Sequence, residues 1–334
     1  MISEKLNNKR TIIPIASGKG GVGKSVLAAN LSIALAKMGH PTVAVDMDLG
    51  GSNLYTCLGM QNKYPGIGDY LKAGNVGFDD LLVQTGIPNL KFLPGDGRTP
   101  FMANITYEQR LLLIKKIKAI SARYVVLDLG AGTQFSTLNF FGLAYRGMVV
   151  TTFETPSVMN FVMFLRSFMF RVISNVARHN QKVLDMLIEA FQQPMKAEPL
   201  TVKYLLGKIA EIDPKLAKHA QLTCSYYRPR VIFNMGDHPD ELNMLEKLDH
   251  TLKQGLSAEV DFFGFVFYDE AVRSAAKRKE TLLNHYPASL ASQGIGHIAK
   301  RVSKAWDRTS ENSSKHLMET TRKQYEMWKI GKRK

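Results

Sequence analysis

Residues Ser17-Gly18-Lys19-Gly20-Gly21-Val22-Gly23-Lys24-Ser25 gather what a chain of phosphates needs. From Gly18 to Ser25 they fit G-x-x-x-x-G-K-S/T. Glycines let backbone N–H groups curl around phosphate oxygens, where a Cβ would clash or bar a positive φ. A helix that starts at the end of such a loop aims its free N–H groups and its dipole at the anion. Lys24 can reach the β- and γ-phosphates, and the Ser25 hydroxyl can hold Mg²⁺. Two other places end in acids: Asp46 and Asp48 follow one apolar run, and Asp128 closes another. An acid closing a buried strand beside a phosphate loop grips Mg²⁺ through water. Gly130 and Gly132, just beyond Asp128, let backbone approach a γ-phosphate as switch loops do.

These groups need a scaffold, and the flanking patterns supply one. An apolar run at 12–16 leads into the loop and an amphipathic run at 26–38 leads out, which reads as strand, loop, helix. Residues 42–46 are short, β-branched and unalternating, as a strand buried on both faces is. Strand, helix, strand makes a right-handed parallel crossover. Ligands on such sheets sit at the carboxyl ends of strands, where the loop and the acids stand. Further strands are predicted at 90–93, 124–128, 147–152, 230–234 and 262–268. Residues 55–86 read as a helix or two without chemistry. A surface helix over 105–121 would bury Ile105, Leu112, Leu113, Ile117 and Ile120 and leave Lys115, Lys116 and Lys118 outside. Glu154 and Ser157 read as helix N-terminus chemistry, and Asp269 as the cap of a late helix.

Lys19 is a second lysine inside the loop, which a mononucleotide loop working alone does not need. Together with Lys24 it makes K-G-G-x-G-K-S, which resembles the deviant Walker A of the MinD/ParA family of ATPases. Asp46-x-Asp48-x-x-x-x-Asn53 and the D-x-x-A-G run from Asp128 to Gly132 resemble that family's next two signatures. The resemblance covers 11–157 and about 228–285. It implies an α/β P-loop fold: a doubly wound, mostly parallel sheet with helices on both faces. ATP and Mg²⁺ are the implied cofactors. Lys19, Lys24 and Asp48 are the implied catalytic residues. Lys19 would cross a dimer interface to the partner's nucleotide, and Asp48 would orient the attacking water. Ser25, Asp46 and Asp128 would serve the metal. Nucleotide contacts would come from Gly18 through Val26, from Asn53 near the phosphates or across the dimer, from Gly132, and from Asn234 at the adenine edge. Read from residue type alone, Asn234 is a turn residue. The family often carries a basic residue near Ser52, where this chain has serine. The run before the loop and the late Asp269-x-x-Val-Arg273 look most like the MinD and flagellar-number (FlhG) branch.

The domain reading is an N-terminal extension at 1–10, an ATPase domain at 11–300 and a basic tail at 301–334. A helical insertion is expected at about 160–228, since the stretch between Ser157 and Arg230 is long for one crossover. Within it, the apolar run 160–173 is either a buried core helix or a face for a dimer, a partner or a membrane; Arg166 and Arg171 argue against a span. Helices are also expected at 184–191 and 202–212, with Pro194, Pro199 and Pro214 as punctuation. The formal net charge is +15. Residues 300–334 hold eleven Lys/Arg against four Asp/Glu, so nearly half of that excess is in the tail. There, Leu317, Met318, Thr321, Tyr325 and Trp328 step at helical spacing among basic residues. Such a helix suits an anionic lipid surface, packing against its own domain, DNA or a protein partner.

Only Cys57 and Cys224 are present, far apart, so neither a disulfide framework nor a cysteine metal cluster is expected. That speaks against an iron–sulfur carrier of the Mrp kind. With neither a signal peptide nor a spanning helix read, the expected place is the cytoplasm, or the inner face of the membrane where the tail meets lipid. The expected function is an ATP-hydrolysing switch that dimerises on ATP, answers to a protein activator, and serves cell-division or flagellar positioning. The alternative is a ParA-type partition ATPase that binds DNA without sequence preference.

Overall fold

A computed structural model describes residues 10–73, 77–95, 105–192, 201–256 and 258–332. Expectations for residues 1–9, Pro194, Pro199, Arg333 and Lys334 lie outside the described residues. Among the described residues eight strands form one sheet in the order β3-β4-β2-β5-β1-β6-β7-β8. They are β1 (Thr11–Ala16), β2 (Thr42–Met47), β3 (Val83–Gln84), β4 (Leu90–Leu93), β5 (Tyr124–Leu129), β6 (Met148–Thr151), β7 (Arg230–Gly236) and β8 (Asp261–Phe267). All pairs are parallel except β3 with β4, an antiparallel edge. The fold is the doubly wound α/β sheet that the motifs require. The two-residue β3 was not foreseen, because so short a strand has no period to read.

Helices cover both faces. On one, Leu27, Leu31 and Leu35 of the loop helix Lys24–Lys37 pack with Ile295 and Ile298 of Leu290–Ala305 against Ile13, Ile15 and Val126. On the other, Phe161, Phe164, Phe168 and Ile173 of Thr155–Val176 bury themselves with Phe141 and Val149. Thr155–Val176 is long and apolar enough to cross a membrane by composition. Eight of its residues, most of them apolar, are nonetheless buried on one face, which makes it a core helix, while Met159 and Met163 near its start stay exposed.

After the core helix, the described residues of the stretch read as an insertion form three more helices, Gln181–Gln192, Val202–Ile212 and Pro214–Tyr226. The last was missed. Pro214, expected as punctuation between helices, instead opens one: it sits at the first helical turn while Asp213 accepts a capping bond from Leu216 N–H. Proline is well suited there, since its absent N–H is an orphan in any case. The surface helix runs Tyr107–Ala119 behind a Thr106–Gln109 capping box. Leu112, expected inside, is 40% exposed, and Leu113 takes the buried place. Ser157 is also corrected: its hydroxyl is buried and accepts from Thr152 N–H, tying the helix to β6 rather than capping it.

The tail forms the helix Ser313–Lys332. Its stripe faces the domain: Leu317 and Thr321 are buried, and Tyr325 stacks on Phe267 at 5.5 Å. Ser313 Oγ accepts from Phe262 N–H of β8. Of the uses open to this stripe, packing is the one the structure displays. Arg322 and Lys323 remain outside.

Candidate functional site

The loop sits at the carboxyl end of β1, the strand flanked by β5 and β6. Its shape requires glycine at particular positions. Gly21 and Gly23 have φ of 81° and 84°, in the left-handed region that side chains avoid. Gly18 faces a different limit: a Cβ there would lie 2.0 Å from the Asn160 carbonyl oxygen. Ser17 Oγ donates to the Lys19 carbonyl at 2.9 Å and folds the loop over. Gly132 N–H donates to the Ser17 carbonyl at 2.9 Å, so the segment after β5 is fastened to the loop's start.

Lys24 and Asp128 meet behind the loop, Nζ to Oδ1 at 2.5 Å. Asp128 has no solvent exposure, and its second oxygen, Oδ2, has no hydrogen-bond partner. Burial raises its pKa above the usual carboxylate range, and Lys24 opposes that. Lys24 Nζ also donates to Ser25 Oγ at 3.5 Å, which places that hydroxyl beside the pair. Asp46 stands opposite Asp128 in register on the neighbouring strand. It accepts from Ser52 Oγ at 2.6 Å, Leu54 N–H at 3.1 Å and Asp48 N–H at 3.1 Å. Burial first, then the Asp128 charge, push its pKa up to about 7.

Two carboxylates, one of them with an unpartnered buried oxygen, and a hydroxyl suit a hard cation that keeps part of its water shell. Among the described residues no group of three or more His, Cys, Asp or Glu is placed to hold a metal alone. The donor set therefore fits Mg²⁺ arriving with phosphate oxygens, the usual way that ion is held.

Asp48 projects to the side. It lines a cavity of about 310 Å³ together with Gly51, Gly130, Gln134 and Thr137. A side chain on Gly130 would come within 3.5 Å of Asp48 Oδ1, so a water on that carboxylate has bare backbone beside it. Across the loop a second cavity, of about 240 Å³, is lined by Gly23, Val26, Asn234, Val266 and Arg273. Asn234 Nδ2 donates to the Val22 carbonyl at 2.8 Å. Asp269 caps the next helix through Ala271 N–H and also accepts from Ala291 N–H.

Lys19, Lys24, Ser25, Asp46, Asp48, Asp128, Gly132 and Asn234 thus share the carboxyl-end side of the sheet. Lys19 is exposed at the loop's outer surface. Asn53 is exposed too, makes no side-chain cap bond and lines neither cavity. Sequence reasoning passed over Ser52, whose hydroxyl holds Asp46, and Gly95, where a Cβ would lie 2.7 Å from Ser52 Oγ. It also missed Gln134 and Thr137; a helix start right after the Asp128 segment was the available signal. Cys57 is half-buried and its thiol is pushed up to about 12, chiefly by loss of solvent, which leaves it inert beside the acids.

Comparison with known proteins agrees with this geometry. Antiactivator FleN of Pseudomonas aeruginosa is 25% identical over 294 residues, covering 87% of this chain and 85% of that protein. Septum site-determining protein MinD of Synechocystis is 34% identical over 148 residues, 44% of this chain and 55% of its own length, so that match spans about half of the relative. Septum site-determining protein MinD of Pyrococcus horikoshii, solved with Mg-ADP, superposes with a TM-score of 0.54 at 19% identity. That superposition covers 91% of this chain and all of the other, and shows a shared fold. Residues 13–282 match the CobQ/CobB/MinD/ParA nucleotide binding domain, most of the chain, and the protein is a member of that family.

Proposed function

We propose that this chain is an ATP-driven dimerising switch that hydrolyses ATP to ADP with Mg²⁺ and acts in MinD-like spatial positioning. The observation that carries the reading is the buried Asp128 carboxylate, with one oxygen on Lys24 and the other unpartnered, directly behind a complete phosphate loop. Ser25 and Asp128, with Asp46 behind them, would hold Mg²⁺. When bound, the ion would supply positive charge against the phosphates. Lys24 holds the phosphates. Asp48 orients the attacking water above the Gly130 backbone. Lys19, exposed on the rim, reaches the nucleotide of a second copy, and Asn53 lies on the same outward side. Asn234 shapes the base end of the groove. The working unit is the ATPase body, taken as 11–300, with the tail as an attached element.

A relative named an antiactivator supports a protein partner, and the activator expected here would be such a partner. The expected place of action is the cytoplasm and the inner face of the membrane. There the tail would meet anionic lipid through Arg322 and Lys323, beside exposed Met327 and Ile330. DNA is the rival anionic surface, and steep weakening with salt, without any gain from vesicles, would identify it.

The test is Asp48→Ala. ATP affinity should stay within about threefold of the parent while turnover falls by at least about 100-fold, the scale of losing a positioned proton-accepting group. Unimpaired turnover contradicts the assigned role.

A further inference from the structure

A third cavity, of about 270 Å³, lies between the helices Leu290–Ala305 and Ser313–Lys332, with Phe263 to Phe265 of β8 as its floor. It shares no lining residue with the phosphate loop or with either cavity beside that loop. Its inner surface is apolar: Phe265, Ile298 and Leu317 are all under 5% exposed. The rim is basic. Lys300, Arg301 and Lys304 come from one helix and His316 from the other. Among the described residues that line it, none is acidic.

The local charge is unbalanced as well. Lys300 and Lys304 stand four apart on one helix, where like charges repel. Neither takes part in an ion pair among the described residues. Arg301 is held over the Phe263 ring at 4.3 Å, with Nη1 on the Phe263 carbonyl. The carboxylate acting on it is Asp261. That group already bonds Arg228 at 2.8 Å and lies 3.9 Å from Arg230. Asp261 is thus shared among three arginines, although Glu259 also pairs with Arg228 at 2.9 Å and Asp307 acts on Arg230, and the two rim lysines have no ion pair among the described residues. A solvated basic face would spread such charges over convex surface. Here they ring a concavity with an aromatic floor.

We infer that this cavity is a binding site for an anionic ligand with an apolar body, whose phosphate, sulfonate or carboxylate sits among Lys300, Arg301 and Lys304 while its body covers Phe265 and Leu317. The ligand bridges the tail helix and Leu290–Ala305, and so fastens the tail to the domain. β8 and Leu290–Ala305 also wall the cavity at Asn234, through Val266, Phe267, Ala291 and Ile295. The site therefore adjoins the nucleotide groove through shared elements.

The probe is 1-anilinonaphthalene-8-sulfonate, which joins an anion to a flat apolar body. Fluorescence titration of the full chain should show a saturable component. Thr320→Phe, which fills the cavity from the tail helix, should abolish it. The double variant Lys300→Ala/Lys304→Ala should weaken it at least about tenfold, the scale of lost charge-assisted bonds. Both lysines are exposed, so the double variant keeps the test sound even if Thr320→Phe fails to fold. Sedimentation with phosphatidylglycerol and with phosphatidylcholine vesicles then separates the sources. Loss of phosphatidylglycerol binding in the same variants assigns a lipid headgroup. Unchanged vesicle behaviour with a lost dye component assigns a free small molecule. A dye isotherm that is identical in parent and double variant, or no saturable component at all, overturns the site.

Discussion

Asp46 and Asp128 face each other across β2 and β5, both without exposure, and only one has a cation against it. Two buried carboxylates side by side cannot both ionise cheaply. Asp46, pushed up to about 7, carries the clearer consequence. In the unfolded chain the same group titrates near 4. Between about pH 4 and about pH 7 the folded state holds a proton that the unfolded state has lost. Stability from this group is therefore fully present at the acid end and declines as the pH rises to about 7. Without metal or nucleotide, the parent should lose on the order of 2 kcal/mol more unfolding free energy between pH 5 and pH 8 than Asp46→Asn does. Denaturant titration at both pH values measures it, and parallel losses would refute it. At this scale the sequence is informative where chemistry sits at a strand end: Asp46, Asp48 and Asp128 stand out because they close apolar runs in a chain that also carries a phosphate loop and matches a family's motif order. Ser52 does not. Its bond to Asp46 depends on a turn that brings the hydroxyl back across six residues, and no residue pattern encodes that return.

Among the elements, the phosphate loop is clamped between Thr155–Val176 and β7. Gly18 has no room for a side chain because the Asn160 carbonyl is there, and that oxygen is backbone and cannot step aside. Gly20 has nothing within 4 Å and no positive φ. The two glycines should separate under substitution. Without nucleotide, Gly18→Ala should cost about 1–3 kcal/mol of stability, as overpacking does, whereas Gly20→Ala should stay within about 0.5 kcal/mol. Denaturation midpoints decide this, and equal losses would place the loop differently against the helix. Long elements with a clear period, β1, β2, β5 and the loop helix, were legible within a residue or two. The Pro214 helix was not, because proline at a first turn and proline at a break are the same letter. Leu112 was placed inward because three successive leucines leave the helical phase open by one residue.

Over the whole molecule, the carboxyl ends of the central strands carry the phosphate loop and its acids, while the far end of β8 and the tail carry the basic surplus. The sequence told the charge of the tail but not its orientation, since a stripe at helical spacing reads the same against lipid and against protein. Phe267 and Phe262 N–H settle it by offering an aromatic face and a donor that the stripe and Ser313 fill. What the single chain leaves outward at the nucleotide edge is Lys19. In the proposed switch Lys19 acts only when a second copy arrives. Mass determination by light scattering behind size exclusion tests this most directly. It would use Asp48→Ala to hold the triphosphate, with Mg-ATP and with Mg-ADP, and the same protein also carrying Lys19→Ala. Asp48→Ala should double its mass with ATP and stay single with ADP, and adding Lys19→Ala should keep it single with ATP still bound. A chain that stays single when saturated with Mg-ATP, or a doubling indifferent to Lys19, would contradict the switch.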